Sequence, residues 1–106
     1  MPAVDVDLEA LRRVGRALAD ESRRCLLLEI LHGCHYPREL ADQLGLGKAN
    51  VSNHLACLRG CGLVTATPEG RRVRYDLVDD RLAHALSDLA GLVLAADDGR
   101  EPEDEP

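Results

Sequence analysis

The chain has 106 residues, a length that fits one small domain and leaves no room for a second. Hydrophobic residues make up 45% of it, yet its only aromatic residues are Tyr36 and Tyr75, which favours helices packed through leucine, valine and alanine. The formal net charge is −6, and no apolar run reaches the roughly 20 residues that span a membrane, so we expect a cytoplasmic protein.

The charge is distributed unevenly along the chain. Residues 97–106 carry six acidic residues and one arginine, a net −5, which leaves −1 for the other 96 residues. Residues 38–74 carry six basic and three acidic residues, a net +3. Contact with nucleic-acid phosphates requires a local positive surface of this kind. We expect residues 1–96 to form the folded domain and residues 97–106 to form a disordered acidic tail.

Two helices are predicted at the start of the chain. Apolar residues recur every three or four positions in residues 6–19, namely Leu8, Leu11, Val14 and Leu18. Asp5 or Asp7 is expected to cap this first helix. A second helix with a broad apolar face is predicted over residues 21–32, opened by Asp20.

Residues 40–62 are typical of two short helices joined by a tight turn. The first of these helices begins ahead of residue 40, with Pro37 in its first turn. It ends at Gly45, which can take the left-handed conformation of a sharp turn. The second is predicted over residues 48–60 and has an apolar stripe of Val51, Leu55 and Leu58. This layout is a helix-turn-helix, in which the second helix enters the DNA major groove.

The exposed face of that second helix has polar side chains in its first two turns. They are Lys48, Asn50, Ser52, Asn53 and His54. A recognition helix reads base edges with its N-terminal part, where asparagine makes paired hydrogen bonds to adenine. We therefore predict that these residues bind DNA; the alternative is a solvated polar face.

A β-hairpin is predicted next, from β-prone runs at residues 63–67 and 72–78 and a turn at residues 68–71. This hairpin is the wing of a winged helix. Three basic residues at its tip and on its outgoing strand are expected to reach phosphates or a minor groove: Arg71, Arg72 and Arg74. Alternatively, they are only solvated surface.

A last helix is predicted from Asp79 or Asp80 to about Ala96. Its apolar residues are Leu82, Leu86, Leu89, Leu92, Val93 and Leu94. They cover too wide a surface for one side of a monomer, so we expect this helix and the first helix to pack against a second copy of the chain. A two-fold dimer places its recognition helices about 34 Å apart, which predicts an imperfectly palindromic double-stranded DNA operator.

The four cysteines are expected to be free thiols, metal ligands or a redox switch. Cys57 and Cys61 are four residues apart, so one side of the helix presents both sulfurs, which suit soft or borderline metal ions. The alternative is that these small side chains simply fill a helix surface. Cys25, inside an apolar helix, is expected to be core.

The segment V-S-N-H-L-A-C-L-R-G-C-G-L-V, with R-E-L-A-D-Q-L-G-L before it and G-R-R-V-R-Y after it, resembles the ArsR/SmtB family of bacterial metal-responsive repressors. The resemblance covers residues 14–94. It implies a winged helix-turn-helix of order α-α-α-α-β-β-α, mainly helical, that dimerises through its first and last helices. Metal binding would release it from its operator. The Cys57 and Cys61 pair is similar to the cadmium- and lead-sensing CmtR subgroup.

Other metal sites of the family are absent from this sequence. Tyr36 and Arg38 stand where one family site has Cys-x-Cys, and Asp80 is followed by Arg81-Leu82 where another has a histidine. The subgroup's third thiolate, from the partner's tail, is also missing, because residues 97–106 contain no cysteine. The alternative third donors are His54, Asp97, Asp98, Cys34 and His35. The effector is therefore expected to be a divalent ion, Cd, Pb, Zn, Ni or Co, and an oxygen or nitrogen donor favours the last three.

Other functions are weighed against this one. The two thiols could respond to oxidation instead of metal, or regulation could come from a partner protein bound to the acidic tail. A winged helix can also serve as a protein-interaction module that binds no DNA. An enzyme is not expected, because the sequence has neither a hydroxyl nucleophile with a paired base nor a phosphate-binding glycine loop.

Overall fold

The computed structural model describes residues 5–99, and within that range the chain forms five helices and one two-stranded antiparallel sheet. In chain order these are α1 (Leu8–Leu18), α2 (Glu21–Leu31), α3 (Pro37–Leu44), α4 (Lys48–Gly60), β1 (Val64–Glu69), β2 (Arg72–Leu77) and α5 (Asp80–Gly99). The predicted order of elements is confirmed. Helix α5 continues three residues past its predicted end, and the remainder of the predicted tail, residues 100–106, lies outside the described residues.

Side-chain caps fix the first two helices. Asp7 accepts hydrogen bonds from the backbone N–H groups of the first turn of α1 at 2.9 and 3.2 Å, and Asp20 accepts one from Arg23 at 3.1 Å. The side chains of Arg23 and Arg24 then donate to the last carbonyls of α1, those of Arg16, Ala17 and Leu18, at 2.7 to 3.1 Å. These bonds satisfy helix-end groups and hold α1 and α2 at a defined angle.

The core lies where α2, α3 and α4 meet the base of the hairpin. Its buried residues are Ala17, Leu26, Leu27, Ile30, Leu40, Ala41, Val51, Leu55, Leu58, Leu63 and Val64. The three residues of the predicted apolar stripe of α4 are all among them. Helix α4 is therefore fixed by one face, and its remaining faces are available for binding.

The turn between α3 and α4 depends on Gly45. Its φ is +67°, a left-handed backbone conformation that residues other than glycine rarely adopt. The next residue, Leu46, donates a backbone hydrogen bond of 3.0 Å to the carbonyl of Ala41. The chain reverses there and α4 begins at Lys48, as predicted.

The turn of the hairpin is tighter than predicted, because β1 extends two residues further toward the tip. Pairing runs from Val64 opposite Leu77 to Glu69 opposite Arg72, so only Gly70 and Arg71 form the turn, and Gly70 has φ +61°. The prediction that Pro68 belongs to the turn is wrong, because it lies in β1 opposite Val73. A two-stranded sheet has only edge strands, and an edge tolerates a residue without an N–H group.

The base of the hairpin is held by the connector between α2 and α3. Tyr75 in β2 donates a backbone hydrogen bond of 2.8 Å to the carbonyl of His35. The Nδ1 atom of His35 in turn lies 2.9 Å from the carbonyl oxygen of Tyr75. The orientation of the wing relative to α3 is therefore set by a backbone hydrogen bond and a side-chain contact of His35 as well as by packing.

Apolar side chains remain exposed on α1 and α5. Leu8 and Leu11 at the start of α1 are exposed, although their spacing matches an amphipathic helix, and the exposed apolar residues of α5 are Leu89, Leu92, Val93 and Leu94. Within residues 5–99, no helix combines the length and apolar character that a membrane crossing requires. These two helices consequently present an apolar surface that the single chain leaves uncovered.

Candidate nucleic-acid interface and thiol site

The solvent-facing side of α4 has most of the predicted base-reading residues. Lys48, Asn50, Ser52 and Asn53 are all exposed, whereas Val51 and Leu55 of the same helix are buried. Four hydrogen-bonding side chains therefore lie together on the N-terminal half of a helix that is anchored from behind. This is the arrangement in which a helix reads base edges in a major groove.

His54 does not lie with them. Its side chain is only 17% exposed, and its Nε2 lies 3.8 Å from Oδ2 of Asp20, the residue that caps α2. The backbone hydrogen bond from Arg23 is the main cause that lowers the pKa of Asp20, and the neighbouring His54 also lowers it. His54 therefore lies at the contact between the recognition helix and the start of α2, apart from the exposed side chains that face solvent.

The three arginines of the wing have different surroundings. Arg71, in the turn, is exposed and forms no salt bridge within the described part of the chain. Arg72 is 2.7 Å from Glu39, and Arg74 is 3.1 Å from Asp76. Arg71 is thus the wing cation most available to a DNA phosphate, and the other two already have carboxylate partners.

Cys57 and Cys61 line one open pocket, so their thiols lie on the same side of α4, as predicted. The pocket has a volume of about 320 Å³ and is closed on its other side by α1. The side chains that α1 contributes are Glu9, Arg12, Arg13 and Arg16. Two sulfur donors a helical turn apart, in an accessible pocket, fit a soft or borderline metal ion.

The surroundings of Cys61 favour its protonated form in the free protein. Burial and, after it, the neighbouring Cys57 thiol raise the pKa of Cys61, although Arg16 and Arg23 act in the opposite direction. The hydrogen bond from Arg12 lowers the pKa of Glu9 to about 2, so this carboxylate is charged and already bound by Arg12 and Arg13. A metal ion bound to both sulfurs would displace their protons.

Within the described residues, the fold brings no third metal ligand to the two thiols. Among the residues whose side chains are described, no three His, Cys, Asp or Glu groups converge closely enough to hold a metal ion. His54 faces Asp20, and His35 lies against Tyr75 and Asp76. Cys34 packs against the core. The other two predicted donors, Asp97 and Asp98, have side chains outside the described part.

Sequence reasoning missed two parts of this surface. The first is the lining of the thiol pocket by α1, whose only sequence signal is the basic spacing of Arg12, Arg13 and Arg16 on a polar helix face. The second is the role of His35 and Tyr36, which precede α3 and contact both strands of the wing. Both depend on contacts between segments that are distant in sequence.

A helix-turn-helix with an exposed polar second helix, followed by a hairpin with arginines at its tip, defines a winged-helix DNA-binding protein. The chain belongs to the arsR family of bacterial regulatory proteins, whose model matches residues 20–66. It is therefore a transcriptional regulator, and the prediction that it is not an enzyme is confirmed by this membership.

Three similar proteins illustrate the relationship. The HTH-type transcriptional regulator CmtR of Mycobacterium tuberculosis is 60% identical over 88 residues, which cover 83% of this chain and 75% of the relative. The NMR structure of the cadmium metal-sensor CMTR from the same organism matches with a TM-score of 0.66 and 54% identity, covering 90% of this chain and 94% of the other. The homodimeric winged helix-turn-helix DNA-binding domain of Mb0332 from Mycobacterium bovis matches with a TM-score of 0.75 and 26% identity, covering 98% and 100%.

Proposed function

We propose that this regulator is a repressor that binds a palindromic operator as a homodimer in the bacterial cytoplasm and leaves it when a metal ion binds Cys57 and Cys61. The observation that carries DNA binding is the division of α4 into two faces. Its apolar stripe is buried, while Lys48, Asn50, Ser52 and Asn53 are exposed beside the wing. No packing role within the chain explains this polar half-helix.

The homodimer is supported by the uncovered apolar surface of α1 and α5. A groove of about 280 Å³ between α5 and the α1–α2 pair is lined almost entirely by apolar side chains: Leu18, Leu27, Leu28, Leu86, Leu89, Ala90 and Val93, with Arg24. Burial of such a surface is favourable, and the similar Mb0332 domain is homodimeric. Two-fold symmetry would then present two α4 helices to adjacent major grooves of one DNA face.

Asn53→Ala and Arg71→Ala are expected to weaken DNA binding in different ways. Asn53 faces solvent on α4, so its loss removes a base contact and costs specific binding about 1–3 kcal/mol, with little effect on a random duplex. Arg71 would contact a phosphate, so its loss weakens binding to both DNAs and reduces the salt slope by about 1. Fluorescence anisotropy against an operator fragment and a random duplex, over a range of salt concentrations, measures both effects.

Two matched variants control for side-chain truncation alone. Gln43→Ala removes an exposed amide from α3, and Arg81→Ala removes an exposed arginine from the first turn of α5, outside the wing. Neither is expected to change either affinity. Equal losses for Asn53→Ala on both DNAs would show that α4 contributes no base reading.

The proposed effector site uses Cys57 and Cys61 and one donor from outside the described side chains. A carboxylate of Asp97 or Asp98 from the partner is our candidate, in place of the tail cysteine that this sequence lacks. A soft or borderline metal ion supplies strong attraction to both thiolates when it is bound. An oxygen donor in the third position favours Zn, Ni or Co over Cd and Pb.

The position of the thiols suggests how they act on DNA binding. They lie at the C-terminal half of α4, at its contact with α1, whereas the base-reading side chains lie at the N-terminal half. Since α1 also belongs to the proposed dimer surface, the thiol pocket lies between the DNA-reading helix and the symmetry axis. A ligand that binds one orientation of α4 against α1 more tightly than another shifts the dimer between DNA-binding and released states.

Metal titration tests this site directly. The reduced apo-protein is titrated separately with Cd, Pb, Zn, Ni and Co while thiolate-to-metal charge-transfer absorbance and operator release are followed together. Release by at least one ion at the stoichiometry of the absorbance change supports the proposal. If the absorbance changes but the operator is not released, the protein binds metal at its thiols but its DNA affinity is controlled in another way.

A further inference from the structure

Arg72 of the wing is held between two residues at the start of α3. Its Nη2 donates a 2.7 Å hydrogen bond to Oε2 of Glu39, and its guanidinium carbon lies 3.4 Å from the centre of the Tyr36 ring. Glu39 thus forms a salt bridge and Tyr36 a cation–π contact with the same side chain. Both partners of the salt bridge are about half exposed, so other anions can reach the arginine.

The same tyrosine also contacts the opposite strand of the wing. The Tyr36 hydroxyl donates a 2.7 Å hydrogen bond to Oε1 of Glu69, which is paired with Arg72 across the hairpin next to the turn. The first turn of α3 therefore holds the tip of the wing through both of its strands. The guanidinium of Arg72 is therefore positioned by two contacts, one with Glu39 and one with Tyr36.

A groove of about 660 Å³ opens beside this contact, between the wing and the helix-turn-helix. It is lined by Tyr36, Pro37, Arg38, Glu39, Ser52, Arg71, Arg72, Val73 and Tyr75. Three of these residues are arginines, Ser52 belongs to the exposed face of α4, and Glu39 is the sole acidic lining residue in the described part of the chain. The charges and hydrogen-bond donors suit one phosphate of a DNA backbone that runs between α4 and the wing.

We propose that Glu39 is a built-in competitor for this phosphate: it neutralises Arg72 in the free protein and repels the DNA backbone, and it thereby limits affinity. This inference rests on the proposed DNA-binding function and adds a residue that opposes it. The arginine that the sequence predicted as a simple phosphate contact is shared with a carboxylate of the same chain. Binding must exchange that salt bridge for a contact with DNA.

Glu39→Gln tests the proposal on a short random-sequence duplex. A charge about 5 Å from a phosphate in water-like surroundings costs about 0.8 kcal/mol, so we expect affinity to rise about fourfold. The salt slope should steepen by about 0.9, because one more cation is available to a phosphate. The matched control is Asp42→Asn, which removes the same charge one turn further along α3, from an exposed side chain that lines no part of the groove.

The sign of the effect decides the proposal. Tighter binding by Glu39→Gln together with less than a twofold change for Asp42→Asn supports it. Weaker binding by Glu39→Gln would overturn it, since Glu39 would then orient Arg72 for DNA instead of competing with it. Equal gains in both variants would also overturn it, because net charge alone would explain them. Failure of the wild type to bind any duplex would instead remove the proposed DNA-binding function itself, and this inference with it.

Discussion

A variant in which both Cys57 and Cys61 are serine is expected to bind the operator like the wild type and to ignore the metal ion. Neither thiol belongs to the exposed polar half of α4, and serine has nearly the same size, so the DNA-reading surface is kept. Loss of both sulfurs removes the soft donors of the site. Metal should weaken operator binding by the wild type about 5- to 150-fold, the usual range of allosteric coupling, and that of the variant less than twofold.

Control variants and a second stimulus make this result specific. Cys25→Ser and Cys34→Ser also replace half-buried thiols, but neither residue lines the thiol pocket, so both should respond like the wild type. Peroxide is applied in parallel with metal to the reduced protein. Operator release by peroxide and not by metal would assign the pair to a thiol switch. An unchanged metal response of the double serine variant would place the sensor elsewhere.

The helical part of the fold could be predicted from the sequence because its signals are local. Spacing of Val51, Leu55 and Leu58 located the buried stripe of α4, and Gly45 marked the turn before it, where its φ of +67° favours glycine. The place of Pro68 in β1 could not be read in this way. Proline usually indicates a turn. Here the turn consists of Gly70 and Arg71 alone, so Pro68 lies before it, inside strand β1.

The sites were less predictable because their neighbours come from distant segments. Periodicity placed His54 on the polar side of α4, but its contact with Asp20 depends on how α4 packs against the start of α2. Whether Arg72 is free to contact a phosphate depends in the same way on its salt bridge with Glu39, which is 33 positions away. Cys57 and Cys61 were paired correctly from their spacing, whereas the arginines of α1 beside them follow only from the packing of two helices.

Leu92→Glu is expected to convert the dimer into a folded monomer and to cost most of its operator affinity. Leu92 is 69% exposed in the single chain, so a charge there leaves the core of each protomer intact but opposes burial of α5 against a second copy. Loss of the second half-site contact should reduce operator affinity about 10²- to 10⁴-fold. Sedimentation equilibrium measures the mass, circular dichroism the folded state, and anisotropy the affinity.

Val78→Glu provides the matched control, because it adds the same charge at another exposed apolar residue, just before α5. It should remain dimeric and bind the operator as the wild type does. If Leu92→Glu is still a dimer with full affinity, α5 does not form the symmetry contact, and the half-site spacing expected from a dimer of this geometry no longer follows. If it is a folded monomer with full affinity, one copy of α4 and its wing is sufficient for the operator. That second result would also mean that metal need not act through the dimer, whereas the proposed route from Cys57 and Cys61 to DNA release passes through the dimerisation helix α1.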